Sequence, residues 1–240
     1  MLHTLTDVQN STDLLVTLGG IDVAMPARTD GRKTHHTETY IACRLLATLA
    51  KADRLTFPLS VSRRDPPNDR PDVVLRPGNS QIGIEITEAI PEPFAALCAL
   101  AEREFPGHWL PVDSFTWGAQ VLSKDEKRDL LRRDARCAAG GGDNAEEKEW
   151  ASFISGVVKK KRRKLAGDGF QLFDANWLAI YDNLPLRNVH LADAISLLKP
   201  LVADIWASVP AFDALFIERG PVIAMVTAGA SVHFVIGDPA

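Results

Sequence analysis

Cysteine is scarce in this chain: Cys43, Cys98 and Cys137 are odd in number and far apart in 240 residues, with no Cys-x-x-Cys or Cys/His pairing. That pattern argues against a disulfide framework or a zinc site, and it predicts reduced thiols in a cytoplasmic protein. Long apolar runs are also missing. None approaches membrane-spanning length, and the N-terminus lacks a basic-then-apolar signal, so neither membrane insertion nor secretion is expected. Positive charge is not in excess either, because 27 Lys and Arg against 31 Asp and Glu leave a net charge of −4. Any phosphate-binding surface must therefore be local. The Gly140-Gly141-Gly142 run has no Gly-Lys-Ser/Thr ending, so it is not a phosphate-binding loop.

What is present suits one globular α/β domain with insertions: 46% of residues are hydrophobic and 24% charged. Residues 1–33 read as a loosely attached arm with one edge strand, and 34–240 as the domain. Within it, 118–148 is a charged, Gly-rich insertion, helical from Lys124 to Cys137.

The most informative stretch runs from Arg70 to Thr87. Two β-branched runs, Asp72 to Leu75 and Ile82 to Thr87, flank a Pro-Gly-Asn-Ser cluster, which spells a β-hairpin. In the second run Ile82, Ile84 and Ile86 share one face, so Gly83, Glu85 and Thr87 share the other. Asp72 opens the partner strand, within reach of the same point as Glu85. Acids embedded in apolar strands demand a cation or donor, and a divalent metal is the simplest partner for two that meet.

Helical periodicity covers Thr34 to Lys51, with Glu38 on the same face as Ile41, Ala42, Leu45 and Leu49. Glu38 admits two readings, a buried-face acid aimed at a site or a first-turn glutamate favoured by the helix dipole. His35 and His36 point about 100° apart on a helix and are poorly placed to chelate one ion. Arg54 to Ser62 alternates as a strand through Leu55, Phe57, Leu59 and Val61, and Asp65 and Asp69 fall in the polar, proline-rich loop that follows. Phe94 to Glu104 is a short helix; Trp109 and Trp117, further on, could stack on bases but are more often packed.

Glu146 to Leu165 is the second informative helix. Trp150, Ile154, Val157 and Leu165 form an apolar seam that Lys161 interrupts, while Lys159, Lys160, Arg162, Arg163 and Lys164 make a local basic cluster. A lysine can snorkel from such a seam, and cations suit a helix end, so a solvated helix terminus is the plain alternative to a site. Asn176 to Asp182 reads as a buried central strand. Asp193 to Val209 reads as a helix, with closing strands at Phe212 to Glu218, Val222 to Thr227 and Ser231 to Ile236. Asp182, Glu218 and His233 are isolated and read as structural.

Pro71-Asp72 followed by Glu85-Ile86-Thr87 resembles the core of the PD-(D/E)XK phosphodiesterase superfamily, over about residues 34–90 and 146–183. The resemblance implies a restriction-endonuclease-like αβββαβ core with a central mixed sheet flanked by helices. It also implies that Asp72, Glu85 and the carbonyl of Ile86 bind Mg²⁺ or Mn²⁺, with Glu38 on the preceding helix directed at the metal. Thr87 stands where the family has lysine. Some members carry that lysine on the following helix, which makes Lys161 the candidate, with Lys164 and Lys160 behind it. The function implied is a nuclease acting on DNA or RNA, with the basic cluster on the phosphate backbone. The alternative is an inactive binding or regulatory module of the same fold. A third is an unrelated α/β protein in which these motifs fell together.

Overall fold

A computed structural model describes residues 4–27, 30–64, 70–105, 122–132 and 144–237. The architecture is α/β, a single eight-stranded mixed sheet flanked by helices. Its strands lie in chain order: β1 (Leu5–Val8), β2 (Leu59–Arg63), β3 (Val73–Pro77), β4 (Ile82–Ala89), β5 (Ala175–Asp182), β6 (Ala214–Arg219), β7 (Val222–Val226) and β8 (Ser231–Val235). The β4–β5 and β5–β6 pairings are parallel and the others antiparallel. The pairing thus changes sense at β4 and again at β6.

Alternation along the strands sorts side chains into two layers. Ile84, Ile86, Ala179 and Phe216 face one core, built with α1 (Ser11–Gly19) and α2 (Thr34–Lys51). Leu178, Ile180, Leu215 and Ile217 face the other, built with α5 (Ala145–Leu165), α6 (Leu191–Leu201) and α7 (Ala203–Trp206). Both faces of β5 are therefore covered, which explains its unbroken apolar run. Between β4 and β5, α3 (Glu92–Glu104) and α4 (Lys124–Arg132) share a small satellite core of Phe94, Leu97, Leu100, Ala101 and Leu131.

Several sequence expectations need correction. The first residues are held more closely than a loose arm: β1 is the expected edge strand, but α1 buries Leu14 and Leu18 in the main core. Strand β2 begins at Leu59 rather than Arg54, directly after Pro58, which has no amide to donate to a ladder. Leu55 and Phe57 still pack on the core from outside the sheet. The expected helix at 193–209 is two helices, with Pro200 and a non-helical Val202 (φ −116°) at the break. Helix α4 is described over Lys124–Arg132; the rest of the helix expected as far as Cys137, together with Asp65, Asp69, Trp109, Trp117 and the Gly140–Gly142 run, lies outside the described residues. Among the described residues no helix is long and apolar enough to cross a membrane.

Candidate active site

The β3–β4 register pairs Val73 with Ile84 and Leu75 with Ile82, so one step further sets Asp72 opposite Glu85. Asp72 Oδ2 accepts the Ile86 amide at 2.6 Å, which fixes its carboxyl beside β4. The approach is close because Gly83 has no side chain. A Cβ there would lie 2.7 Å from Pro71 Cγ and 2.8 Å from Phe173 Cδ2. Pro71 and Phe173 thus stack over the glycine, and the turn into Asp72 is seated against β4.

Lys161 reaches these acids from α5, on the far side of the crossover. Its ammonium donates to Glu85 Oε1 at 2.6 Å and to the Ile86 carbonyl at 3.0 Å. Both side chains are largely enclosed, 15% exposed for Lys161 and 6% for Glu85. The other carboxylate oxygen, Glu85 Oε2, is buried with no hydrogen-bond partner. Asp72 is pushed from its ordinary value near 3.8 up to about 8, first by burial and then by the negative charge of Glu85 and, more weakly, of Glu38. The Ile86 amide and the Lys161 ammonium oppose that rise without overcoming it.

Helix α5 is anchored well upstream of Lys161. Trp150 donates its indole N–H to Asp182 Oδ2 at 2.5 Å, and Arg219 Nη1 donates to the same oxygen at 2.7 Å. Glu147 Oε1 accepts the His190 amide at 2.7 Å. Asp182 is therefore a structural anchor, and Glu218, held by Arg44 at 2.9 Å, is likewise a structural partner.

Glu38 lies near enough to act electrostatically on Asp72, while its Oε2 is met by Arg63 Nη1 at 3.4 Å. Two clefts open beside the acid pair, both lined by Thr87 and Lys161 and neither by Asp72 or Glu85. One of about 610 Å³ is lined by Arg32, Lys33, Glu38, Ile86, Thr87, Glu88 and Lys161 among others. The second, of about 560 Å³, is lined by Ile90, Phe153, Val157, Lys160, Lys161 and Lys164, and it shares Thr87 and Glu88 with the first. Of the basic cluster, Lys160, Lys161 and Lys164 face this cleft, whereas Lys159, Arg162 and Arg163 fall outside its lining. His36 has a local task, its Nδ1 accepting the Lys33 amide at the start of α2.

The structure thus brings together Asp72, Glu85, Ile86 and Lys161, with Thr87 and Glu38 at the rim. Sequence reasoning missed Arg63 and Glu88. Glu88 accepts from Asn183 Nδ2 at 2.9 Å and lies 3.8 Å from Arg32. Its only signal was its place three residues after Glu85 on the opposite face. The donor set of two carboxylates and a carbonyl is all oxygen and suits a hard divalent ion, and the unpartnered Glu85 Oε2 is an atom that such an ion would satisfy. Among the described residues no group of three or more His, Cys, Asp or Glu side chains is arranged to hold a metal, so any ion here would rest on two carboxylates.

No family model, curated protein or solved structure matches this chain.

Proposed function

We propose that this chain is a metal-dependent phosphodiesterase acting on nucleic acid, a PD-(D/E)XK-like enzyme whose lysine sits on α5 instead of β4. The observation that carries this reading is the 2.6 Å contact between Lys161 Nζ and Glu85 Oε1, which joins a lysine and an acid 76 residues apart at the point where Asp72 also arrives. The order α2, β2, β3, β4, α5, β5 supports a restriction-endonuclease-like core, with α3 and α4 inserted before α5.

Asp72, Glu85 and the Ile86 carbonyl would hold Mg²⁺ or Mn²⁺. Such an ion supplies an acidified water and neutralises charge on the scissile phosphate. Lys161 contributes a cation for the developing oxyanion, which Thr87 cannot, since a hydroxyl only hydrogen-bonds. Lys160 and Lys164 meet the backbone phosphates beyond the scissile bond. Their affinity is sequence-independent and falls with salt.

A second reading, an inactive binding module of the same fold, draws on the fact that Lys161 already satisfies Glu85 Oε1 and the Ile86 carbonyl. Plasmid and single-stranded nucleic acid incubated with Mg²⁺ or Mn²⁺ separate the two. Cleavage abolished by both Asp72→Ala and Glu85→Ala supports the enzyme. Absence of cleavage, with no metal-induced gain in thermal stability, supports the module.

A further inference from the structure

Lys161 holds Glu85 Oε1 and the Ile86 carbonyl, two of the oxygens that a divalent ion would need. An ion bound by these atoms at about 2.0–2.1 Å, the usual distance for Mg²⁺, would lie within a few ångströms of the ammonium. Two cations so close in an enclosed site repel strongly. The ammonium must give up these two oxygens.

We infer that a divalent ion and the Lys161 ammonium occupy the Glu85–Ile86 oxygens in turn, so that metal binding releases Lys161 into the cleft it lines with Lys160 and Lys164. This rests on the two-carboxylate metal reading above and adds a regulation to it. In the metal-free protein Lys161 is the resident cation that makes Glu85 tolerable in its buried position.

The lysine has somewhere to go. Its flexible stem already lines both clefts, and Lys160 and Lys164 line the α5 side with it. Once unpaired, Lys161 joins them as a third ammonium facing that cleft. Phosphate affinity there therefore rises when metal binds, and by reciprocity a bound phosphate chain tightens the metal. The second cleft thus binds polyanions more tightly in the loaded protein.

Pulse acylation of the native full chain with an amine-selective reagent, read by peptide mass spectrometry, tests this without any variant. Saturating Mn²⁺, with binding followed by calorimetry, is expected to raise Lys161 modification several-fold while Lys199, on α6, stays constant. Glu85→Gln serves as the reference for a lysine freed from its pair and should show the fast rate without metal. A second arm compares Mn²⁺ affinity in Lys161→Met, where removal of the competitor should tighten binding at least tenfold.

Mn²⁺ that binds while Lys161 modification stays unchanged overturns the exchange and leaves the two-carboxylate site standing. Weaker Mn²⁺ binding in Lys161→Met does the same. No heat of binding in the native chain removes both the exchange and the metal reading beneath it.

Discussion

Asp72 stands opposite Glu85 across the extension of the β3–β4 ladder, and its carboxyl is pushed up to about 8 by burial first and by Glu85 second. The folded chain therefore holds this proton more tightly than the unfolded chain, whose Asp72 ionises near 3.8. The contribution of Asp72 to stability is fully present below about pH 4 and is lost as pH rises through about 8. Asp72→Asn keeps an acceptor for the Ile86 amide and removes the titration. In metal-free buffer it is expected to exceed the native chain in stability at pH 9 by on the order of 1–3 kcal/mol, and to match it near pH 4. Urea midpoints across that range check the claim, and parallel curves for the two proteins would remove it.

Lys161→Ala leaves Glu85 buried beside Asp72 with its ammonium partner gone. Breaking a buried pair from one side costs about 3–5 kcal/mol, so a large loss of thermal stability is expected. Lys161→Met combined with Glu85→Gln removes both charges and should recover most of that loss. For function, Lys161→Ala is expected to weaken nucleic-acid binding modestly and cleavage severely. Equal losses in both would argue against a catalytic role.

Gly83→Ala asks for a Cβ at 2.7 Å from Pro71 Cγ and 2.8 Å from Phe173 Cδ2. Either ring must shift, at about 1–3 kcal/mol for an overpacked core. Because Pro71 precedes Asp72, the displacement carries to the acid. Calorimetric melting should show the destabilisation, and cleavage measured well below the melting point should fall too. A variant as stable and as active as the native chain would show that this contact is slack.

Asp182→Ala leaves Arg219 Nη1 and the Trp150 indole without the oxygen they share, whereas Asp182→Asn can keep a neutral oxygen in its place. The alanine variant should lose about 3–5 kcal/mol and the asparagine variant distinctly less. Cleavage by the folded fraction should change little in either, because the anchor lies far along α5 from Lys161. Chemical denaturation followed by single-turnover assays would separate the two effects.

Lys160 and Lys164 line the α5-side cleft and Arg163 falls outside its lining. Each lysine replaced by alanine should reduce the slope of log affinity against log salt by about one, the signature of one lost phosphate contact. Arg163→Ala should leave that slope unchanged. Fluorescence anisotropy with a labelled oligonucleotide over a salt series would show it, and identical slopes for all three variants would sink the assignment.

Much of the site was legible because its chemistry conflicts with its local pattern. Glu85 disturbs an isoleucine alternation and Lys161 interrupts a helical apolar seam, so each declared itself from neighbours a few residues away. The bounds of α2 follow from the same logic, since its apolar positions hold a helical period from Ile41 onward. What stayed hidden depends on distant partners. Arg63 reads as loop polarity until Glu38 is placed above it, and Glu88 as an ordinary strand-end acid until Asn183, just past the end of β5, arrives beside it. Helix α1 is only nine residues long and declares itself mainly through Leu14 and Leu18, too little period to stand out. Strand β2 begins five residues later than the alternation from Arg54 predicts, because that alternation continues through Pro58, where a ladder has no donor.

The sequence separations within the site also order its assembly in time. Asp72 and Ile86 are 14 residues apart and meet by closing one hairpin, while Lys161 and Glu85 are 76 apart and meet only after the long crossover has packed. Local contacts form first, since closing a longer loop costs more chain entropy. The two acids therefore confront each other before their counter-charge reaches them. Refolding should pass through a stage in which that hairpin is safest protonated, and mild acid should speed it.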